Sequence, residues 1–338
     1  MNNKAQPVEM SENVEQEWNA DYRTYSVEGD HYEIGYETAK RSGEIIEPGT
    51  SLSGDARITA EKSREVTKEV FPAAVSEFDG YSDALGIPDD EMLWHFTPGI
   101  DGSCSAMAIE TDDGILIGRN YDFFYSESRR HFIHTVPDQG YAHVGVHEGL
   151  VGGRFDGLND QGLFVSFNGA GFPDHSAVGM PFHLVVRYLL AKCDSAVDAR
   201  DTLRDLPLRE PKSYLLADSD SAFVVEAHPE QTAVRTPNAG LLVATNHFIH
   251  SEMEAFKPPW DNSVQRRNRL LEFSNLDSPT IEDLQVGLRD HEAPVCGHED
   301  GMATLWSCVS ELSTGRISYP LGAPCRNRYS WTITPRVE

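Results

Sequence analysis

DGSCSAMAIETDDGILIGRNYDFFY, residues 101–125, contains two short β-type runs separated by a turn sequence. The runs SAMAIE and ILIGRNYD flank TDDG at 111–114, and a polar stretch ending in glycine favours a tight turn between two strands. We therefore predict a β-hairpin with Cys104 at the start of its first strand. Because the turn folds the second strand back, Arg119 and Asp122 are expected to lie near Cys104.

Cys104 is surrounded by small, flexible residues. Its neighbours are Gly102, Ser103 and Ser105, whereas a structural cysteine more often lies within an apolar run, as Cys308 does in LWSCVSEL. A nearby arginine stabilises a thiolate and lowers the pKa of the thiol, and an aspartate can orient an ammonium or a base. The pattern indicates a nucleophilic thiol. A solvated arginine–aspartate pair beside a structural cysteine is the alternative that the residues alone leave open.

The character of the sequence changes at Cys104. Residues 1–20 are polar and without a period, which predicts a mobile tail, and residues 21–100 follow a largely helical pattern that Pro72 divides. After Cys104, short apolar runs alternate with helical segments, which predicts an α+β fold of antiparallel sheets covered by helices. Strands are expected at HFIHTVP, YAHVGVHE, RFDGLND, GLFVSFN, SYLLAD, AFVVEAH, TAVRTP, LLVATN, ATLWSCVSEL and RISYPL, and helices at PFHLVVRYLLAKC, SAVDARDTLRDLP, NSVQRRNRLLEFS and TIEDLQVGLRDH.

The charge balance is strongly acidic, with 54 acidic against 28 basic residues and a formal net charge of -26. Nucleic acid and anionic membrane surfaces would be repelled, so neither is expected as a partner. Lysine is scarce and arginine supplies most of the positive charge. This composition favours a halophilic protein, because molar salt shortens the Debye length to about 3 Å and makes self-repulsion tolerable. An ordinary acidic enzyme is the alternative.

The sequence shows no targeting or membrane signal. No stretch approaches the ~20 apolar residues that span a bilayer, and the N-terminal MNNKAQPVEMSENVEQEW lacks the apolar segment of a signal peptide. We therefore expect a cytoplasmic location. An odd number of scattered cysteines is unlike a disulfide framework, so all are expected to be thiols: Cys104, Cys193, Cys296, Cys308 and Cys325.

Several segments in a fixed order resemble a known family. The run C-S-A-M-A-I-E…G-R-N-Y-D-F is preceded by EGDHYEIGYETA and followed by DGLNDQGLFVSFN, LLVATNHF, NSVQRRNRLLEF and ATLWSCVSELSTGRISYPLGAPCRNRY. Together they resemble the N-terminal nucleophile (Ntn) hydrolases of the isopenicillin N acyltransferase type, relatives of choloylglycine hydrolases and acid ceramidase. The resemblance runs from about residue 24 to residue 330. It implies a four-layer αββα sandwich of antiparallel sheets.

The resemblance also implies a precursor that cuts its own chain between Ser103 and Cys104. Residues 1–103 would be a tail and helical propeptide, and residues 104–338 the catalytic chain, with both parts in one compact unit. The freed α-amine has a reference pKa of about 7.7 to 8.0, so near neutral pH it can accept the proton of the adjacent thiol. The implied activity is cleavage or transfer of an acyl group at a small, linear, non-peptide amide through a thioester on Cys104, without a cofactor.

Four other residues receive roles from the resemblance. It implies Arg119 beside the thiolate and Asp122 holding the new amine. Attack on an amide produces an oxyanion, which requires donors placed in advance. The matching candidates are Asn168 in SFNGAG and Asn246 in ATNHF, each at the end of a predicted strand. Asparagine also caps turns routinely, which is the structural alternative for both.

A second arginine is expected near the site. Arg266 in NSVQRRNRLL matches the family position and precedes apolar Leu270 by one helical turn; its neighbour Arg267 would point about 100° away on a helix, so only one of them can face the cleft. We prefer Arg266. Two positions depart from the family pattern, because Ser103 stands where glycine is expected and Gly297 where relatives tend to carry a basic residue.

Competing functions have weaker support in the sequence. Cys296 and His298, with His291 nearby, suggest a metal cluster, but their spacing matches no common zinc pattern and a second pair of ligands is missing, so no metal is expected. A Cys–His protease would need a histidine partner that we cannot place beside Cys104. An uncleaved, non-catalytic scaffold stays open, as does a homo-oligomer.

Overall fold

The computed structural model describes residues 22–42, 52–97, 99–124, 130–174, 177–298 and 302–336. The predicted tail at residues 1–20 lies outside these ranges. The strands are β1 Tyr22–Gly29, β2 Ser105–Thr111, β3 Gly114–Phe124, β4 Arg130–Pro137, β5 His143–His147, β6 Asp156–Asn159, β7 Phe164–Gly169, β8 Lys212–Ala217, β9 Ala222–His228, β10 Gln231–Arg235, β11 Leu241–Ala244, β12 Met302–Glu311, β13 Arg316–Pro320 and β14 Tyr329–Ile333. The α-helices are α1 His31–Ser42, α2 Gly54–Val70, α3 Pro72–Leu85, α4 Asp89–Met92, α5 Phe182–Lys192, α6 Ala196–Asp205, α7 Asp261–Leu271 and α8 Ile281–Gly287.

The strands form two sheets. The first sheet has the order β1-β4-β5-β6-β7-β8-β9-β10, and the second has the order β11-β2-β3-β12-β13-β14. Neighbouring strands are antiparallel except at one edge of the first sheet, where β1 runs parallel to β4. The prediction of antiparallel sheets is therefore confirmed in the main, with this one parallel pair added.

The sheets pack face to face, and helices cover their outer sides. Tyr121 of the second sheet stacks on Trp306 with ring centroids 4.0 Å apart and approaches Phe167 of the first sheet at 6.2 Å. Helices α5 and α6 contact the first sheet, and α7 and α8 contact the second. A sheet that is apolar on both faces must be covered on both, and this yields the predicted four-layer αββα sandwich.

The β2–β3 hairpin forms as the sequence predicts. Ala106 pairs with Arg119, and the turn closes at Gly114, whose φ of +122° is in the region that favours glycine. Side chains alternate along a strand, so Arg119 points between the sheets while Asn120 points outward and donates to carbonyl groups after α8. The hairpin therefore directs Arg119 toward the interior of the sandwich.

The segment before the hairpin is helical, as predicted. Helix α2 ends at Val70, and Pro72 opens α3, where its missing N–H costs nothing. Helices α1 and α3 cross closely, because a Cβ at Gly35 would lie 2.0 Å from the carbonyl oxygen of Glu77. None of the helices in the described ranges combines the length and apolar character needed to cross a membrane.

The sequence analysis did not predict strand β14, since the last strand it predicted was RISYPL. Strand β14 pairs with β13 at the edge of the second sheet. Its residues alternate between half-buried and exposed, so it lacks the apolar run that identified the other strands.

Candidate active site

Cys104 lies immediately before β2 and is fully buried. Its backbone N–H donates to Asn246 Oδ1 at 2.7 Å, and the N–H of Ser103 donates to the carbonyl oxygen of Asp122 at 3.0 Å. The N–H groups of both residues at the 103/104 junction are thus hydrogen-bonded to residues that the sequence analysis singled out.

Arg119 is fixed by a buried ion pair between the two sheets. Its Nε donates to Asp156 Oδ2 at 2.8 Å, and the same carboxylate accepts from Trp306 Nε1 at 2.9 Å and from the Tyr319 hydroxyl at 3.1 Å. The Nη atoms of Arg119 are buried without a hydrogen-bond partner among the described residues. Burial raises the pKa of the Cys104 thiol, and the Arg119 guanidinium is the strongest influence opposing that rise.

Asp122 has an environment that opposes its charge. Burial raises the pKa of Asp122 to about 7, although the Arg266 guanidinium and the Thr304 hydroxyl act in the opposite direction. Thr304 Oγ1 donates to Asp122 Oδ1 at 2.6 Å. Thr304 is in turn held by Gly297, since its N–H donates to the Gly297 carbonyl at 2.9 Å and its Oγ1 accepts the Gly297 N–H at 3.0 Å. A carboxyl group that can change protonation near neutral pH therefore lies beside Cys104.

Asn246 and Arg266 form a hydrogen-bonded unit around the backbone of Cys104. Asn246 Oδ1 accepts from Arg266 Nη2 at 2.8 Å as well as from the Cys104 N–H. Asn246 Nδ2 donates to the carbonyl oxygens of Gly102 at 2.6 Å and Gly169 at 3.0 Å. Arg266 Nη1 also donates to the carbonyl oxygen of Cys104. The side chain of Asn246 thus bridges the residues on both sides of Ser103.

Of the two adjacent arginines, Arg266 is the one that faces Cys104. It is fully buried on α7, where its Nε donates to Asn262 Oδ1 at 2.8 Å. Arg267 is half-buried, and the charge that acts on it most strongly is that of Glu226. The geometry therefore places Arg266 in the site and turns Arg267 away from it, in the manner the helical spacing predicts.

Asn168 lies near these residues, and its direct contact is with the second sheet. From β7 its Nδ2 donates to the Ala244 carbonyl at 3.1 Å, and its Oδ1 is buried without a partner among the described residues. The next residue, Gly169, lies against the chain before Cys104, since a Cβ there would be 2.9 Å from the Gly102 nitrogen. Asn168 thus borders the cleft but is not hydrogen-bonded to Cys104 in the way that Asn246 is.

The segment before Cys104 is held in the cleft by two lysines. Lys212 Nζ donates to the Ile100 carbonyl at 2.8 Å and to the Gly171 carbonyl at 3.1 Å. Lys257 Nζ pairs with Asp101 Oδ2 at 2.7 Å. These contacts fix residues 99–103 over Cys104, whose side chain has no exposed area. A cavity of about 790 Å³ opens instead at the turn end of the hairpin, away from Cys104.

Sequence reasoning missed the residues that support this site. Arg119 is hydrogen-bonded to Asp156, Asp122 to Thr304, and Arg266 to Asn262. All three supporting residues lie in segments that the sequence analysis quoted. Asp156 was included only within the strand run RFDGLND and the family segment DGLNDQGLFVSFN, without a role of its own. Its polar side chain in an otherwise buried strand was the signal that could have identified it.

A four-layer αββα sandwich with a buried cysteine at the start of a central strand is the architecture of the N-terminal nucleophile hydrolases. The family model described as acyl-coenzyme A:6-aminopenicillanic acid acyl-transferase matches residues 109–326, more than half of the chain. The chain belongs to this family, as the sequence resemblance indicated. No curated protein sequence gives a significant match.

Three solved structures illustrate what the chain is similar to. A mutant conjugated bile acid hydrolase from Clostridium perfringens is 15% identical, with 64% of this chain and 88% of that chain covered and a TM-score of 0.45. The Caenorhabditis elegans ortholog of N-acylethanolamine-hydrolyzing acid amidase is 16% identical, with 68% and 99% covered and a TM-score of 0.46. Penicillin V acylase from Agrobacterium tumefaciens is 14% identical, with 64% and 82% covered and a TM-score of 0.45.

Proposed function

We propose that the protein is a self-activating cysteine amidohydrolase that cleaves small, linear, non-peptide amides through a thioester on Cys104. Family membership supports an enzyme that acts on amides. Two observations carry the finer proposal. Asn246 accepts a hydrogen bond from the backbone N–H of Cys104. The buried guanidinium of Arg119 acts electrostatically on the Cys104 thiol, and its Nη atoms have no hydrogen-bond partner in the described part of the chain.

The first step is the activation of the precursor. The Cys104 thiol attacks the carbonyl carbon of Ser103, a carbon–sulfur bond forms as the carbon–nitrogen bond breaks, and the thiol proton passes to the leaving nitrogen. Water then hydrolyses this thioester, leaving a carboxyl group on Ser103 and a free amine and thiol on Cys104. The hydrogen bonds to the Ser103 and Cys104 N–H groups support this step, because they fix the peptide that is to be cut.

The two products of this cut, residues 1–103 and 104–338, should remain one unit. Phe71, Phe78 and Phe96 before the cut belong to the same apolar core as Phe132 and Phe182 after it. Burial of a side chain of this size contributes about 1.5–3 kcal/mol, so the shared core favours continued association of the two chains.

Cleavage also supplies the groups that turnover requires. The freed α-amine, with a reference pKa of about 7.7 to 8.0, accepts the thiol proton while Asp122 orients it and Arg119 stabilises the thiolate. In the uncut chain Asn246 Nδ2 donates to the Gly102 carbonyl. Once the segment that ends at Ser103 withdraws, this donor becomes available to the oxyanion of a substrate, with Asn168 bordering the same cleft.

Hydrolysis and acyl transfer share the formation of the thioester and differ in whether water or an amine resolves it. We favour hydrolysis, because water always competes for the thioester. Transfer to an amine is the second candidate, and the description of the family model favours it. Product analysis with and without an added amine acceptor distinguishes the two outcomes.

The test is intact-mass measurement of the purified protein, followed by a screen of N-acyl amides, bile-salt conjugates and β-lactam amides. We expect two chains, one ending at Ser103 and one starting at Cys104, and a single uncut chain for Cys104→Ala. Amide cleavage should fall by about 10⁴-fold or more in this variant, as it does when a nucleophile is removed. Active protein that still carries the intact 103/104 peptide would refute the proposal, and an inactive, uncut wild type would support a scaffold.

A further inference from the structure

Four potential metal ligands that the proposed reaction does not use meet at one point. His291, Cys296, His298 and Cys325 each offer one nitrogen or sulfur atom, and these atoms all lie within 4.8 Å of one another. The first three come from the connection between α8 and β12, and Cys325 comes from the connection between β13 and β14. The fold thus brings a cysteine 27 residues beyond His298 into contact with it.

The distances among these atoms suit a tetrahedral ion. His298 Nε2 lies 3.3 Å from Cys296 Sγ and 3.2 Å from Cys325 Sγ. With zinc–sulfur bonds of about 2.3 Å and zinc–nitrogen bonds of about 2.0–2.1 Å, tetrahedral geometry separates sulfur from nitrogen by about 3.5 Å. The imidazole rings of His291 and His298 are nearly perpendicular, at 88°, with centroids 5.4 Å apart, so they do not stack on each other.

We propose that His291, Cys296, His298 and Cys325 bind one structural Zn²⁺ ion. Two thiolates and two imidazoles in tetrahedral arrangement form a donor set that favours zinc. Four protein ligands close the coordination shell, which is the arrangement of a structural site rather than of a catalytic one. The sequence analysis considered His291, Cys296 and His298 as a metal cluster and expected no metal, because a second pair of ligands was missing. The proposal departs from that expectation, since the tertiary structure supplies Cys325 as the fourth ligand.

Hydrogen bonding alone accounts less well for the cluster. The described cysteines are free thiols, so no disulfide joins Cys296 to Cys325. Cys296 is buried and the side chains of His298 and Cys325 are partly buried. His291 is the exposed member of the cluster. Withdrawing the two sulfurs and the His298 imidazole from water is costly unless they share a strong common partner, and a divalent cation provides one.

The ion would help to position Asp122 through Gly297 and Thr304. Gly297 lies between the ligands Cys296 and His298, and its hydrogen bonds fix Thr304, whose hydroxyl donates to Asp122. Zinc would also crosslink the α8–β12 connection to the β13–β14 connection. Such a crosslink lowers the conformational entropy of the unfolded chain, and the free energy of metal binding adds to the free energy of folding. Its role is therefore stability and the placement of Asp122, with no part in bond cleavage.

The primary test is the metal content of the full chain, measured by mass spectrometry of the elements after purification without added metal or chelator. We expect about one zinc per chain in the wild type, and at least a tenfold lower content in Cys325→Ser and in Cys296→Ser, since each removes one of four ligands. Cys193→Ser is the matched control, because Cys193 is also a buried thiol but lies outside the cluster, and it should retain the ion.

A second measurement covers variants that fail to fold. Wild-type protein stripped of metal under reducing conditions and titrated with Co²⁺ should develop thiolate-to-cobalt charge transfer and the intense visible bands of a tetrahedral site, which Zn²⁺ then abolishes. Cys104→Ala, which cannot cut itself, should bind the same amount of metal. This separates the result from the fate of the proposed activity.

Three outcomes would overturn the zinc site. One is wild-type protein that contains no zinc and takes up no Co²⁺ while its thiols are reduced. Another is a Cys296–Cys325 disulfide found by peptide mapping of protein purified under non-reducing conditions. A metal content that stays unchanged in both ligand variants would place the ion elsewhere and would equally refute the assignment.

Discussion

The two sides of Cys104 differ in whether their contacts involve the peptide to be cut. On the sulfur side, between the sheets, Arg119 is fixed by Asp156 through a contact that is independent of that peptide. On the amine side, Asn246 and Arg266 are hydrogen-bonded to the backbone of residues 102–104 itself. Under the proposed function, the sulfur side is thus complete before the chain is cut, whereas the amine side would exchange partners on cleavage. The proposed cleavage would therefore complete the amine side in addition to exposing Cys104.

The largest effect is expected from Asp156→Asn on the sulfur side. Arg119 and Asp156 both have no exposed side-chain area, so the variant leaves a buried guanidinium without its counter-charge. Breaking such a pair costs about 3–5 kcal/mol, and we expect the free energy of unfolding in urea to fall by that amount.

Asp113→Asn, in the exposed turn of the hairpin, is the control for Asp156→Asn and should change stability by about 0.5 kcal/mol or less. If Asp156→Asn unfolds at the wild-type urea concentration and is cut at the wild-type rate, the sulfur side is not held by this ion pair.

A pH titration of stability tests the amine side. Burial raises the pKa of Asp122 from 3.8 to about 7, so the folded chain holds this proton more tightly than the unfolded chain does. The stabilising contribution is complete below about pH 4 and is lost as pH rises through 7. In uncut Cys104→Ala, the free energy of unfolding should therefore fall by up to about 4 kcal/mol between pH 4 and 8, at about 1.4 kcal/mol per pKa unit.

The comparison chain for this titration carries Asp122→Asn together with Cys104→Ala. Its amide imitates the neutral acid and cannot ionise, so the fall between pH 4 and 8 should be smaller by the contribution of Asp122. If the free energy of unfolding falls equally with pH in the two chains, Asp122 has the same pKa in the folded and unfolded states. That result would contradict the raised pKa expected for Asp122 on the amine side.

The adjacent arginines of α7 offer the finest test. Arg266→Gln removes donors to the Cys104 carbonyl and to Asn246, the residue that accepts the Cys104 N–H, and misplacing the groups at a reacting bond can slow the reaction by about 10²-fold. Arg267→Gln changes a half-buried neighbour that faces away, and we expect about a twofold effect at most. The rate of self-cleavage of freshly synthesised chain, followed by electrophoresis, measures both. Similar losses in the two variants would remove Arg266 from the site.

The sequence predicted most of the fold because the decisive signals are local. The TDDG turn and the alternating runs around it define the hairpin, and Pro72 divides the helices before it. It also indicated residues that the structure brings together, namely Cys104, Arg119, Asp122, Asn246 and Arg266, and Asn168 at the border of the cleft. Their catalytic roles remain a prediction. The edge strand β14 and the parallel β1–β4 pair were missed because their partners are set by tertiary packing.

The sequence by itself determined the hairpin and the place of Cys104 at its start, since turn chemistry and a two-residue period act between near neighbours. Only the tertiary structure decided that Asp156 holds Arg119, that Thr304 holds Asp122 and that Cys325 joins the histidines. The first contact joins the two sheets, the second joins paired strands that are far apart in the sequence, and the third joins two different connections. Burying charged and polar groups is favourable only when their partners come together in the folded structure, so no local sequence pattern could have predicted these contacts.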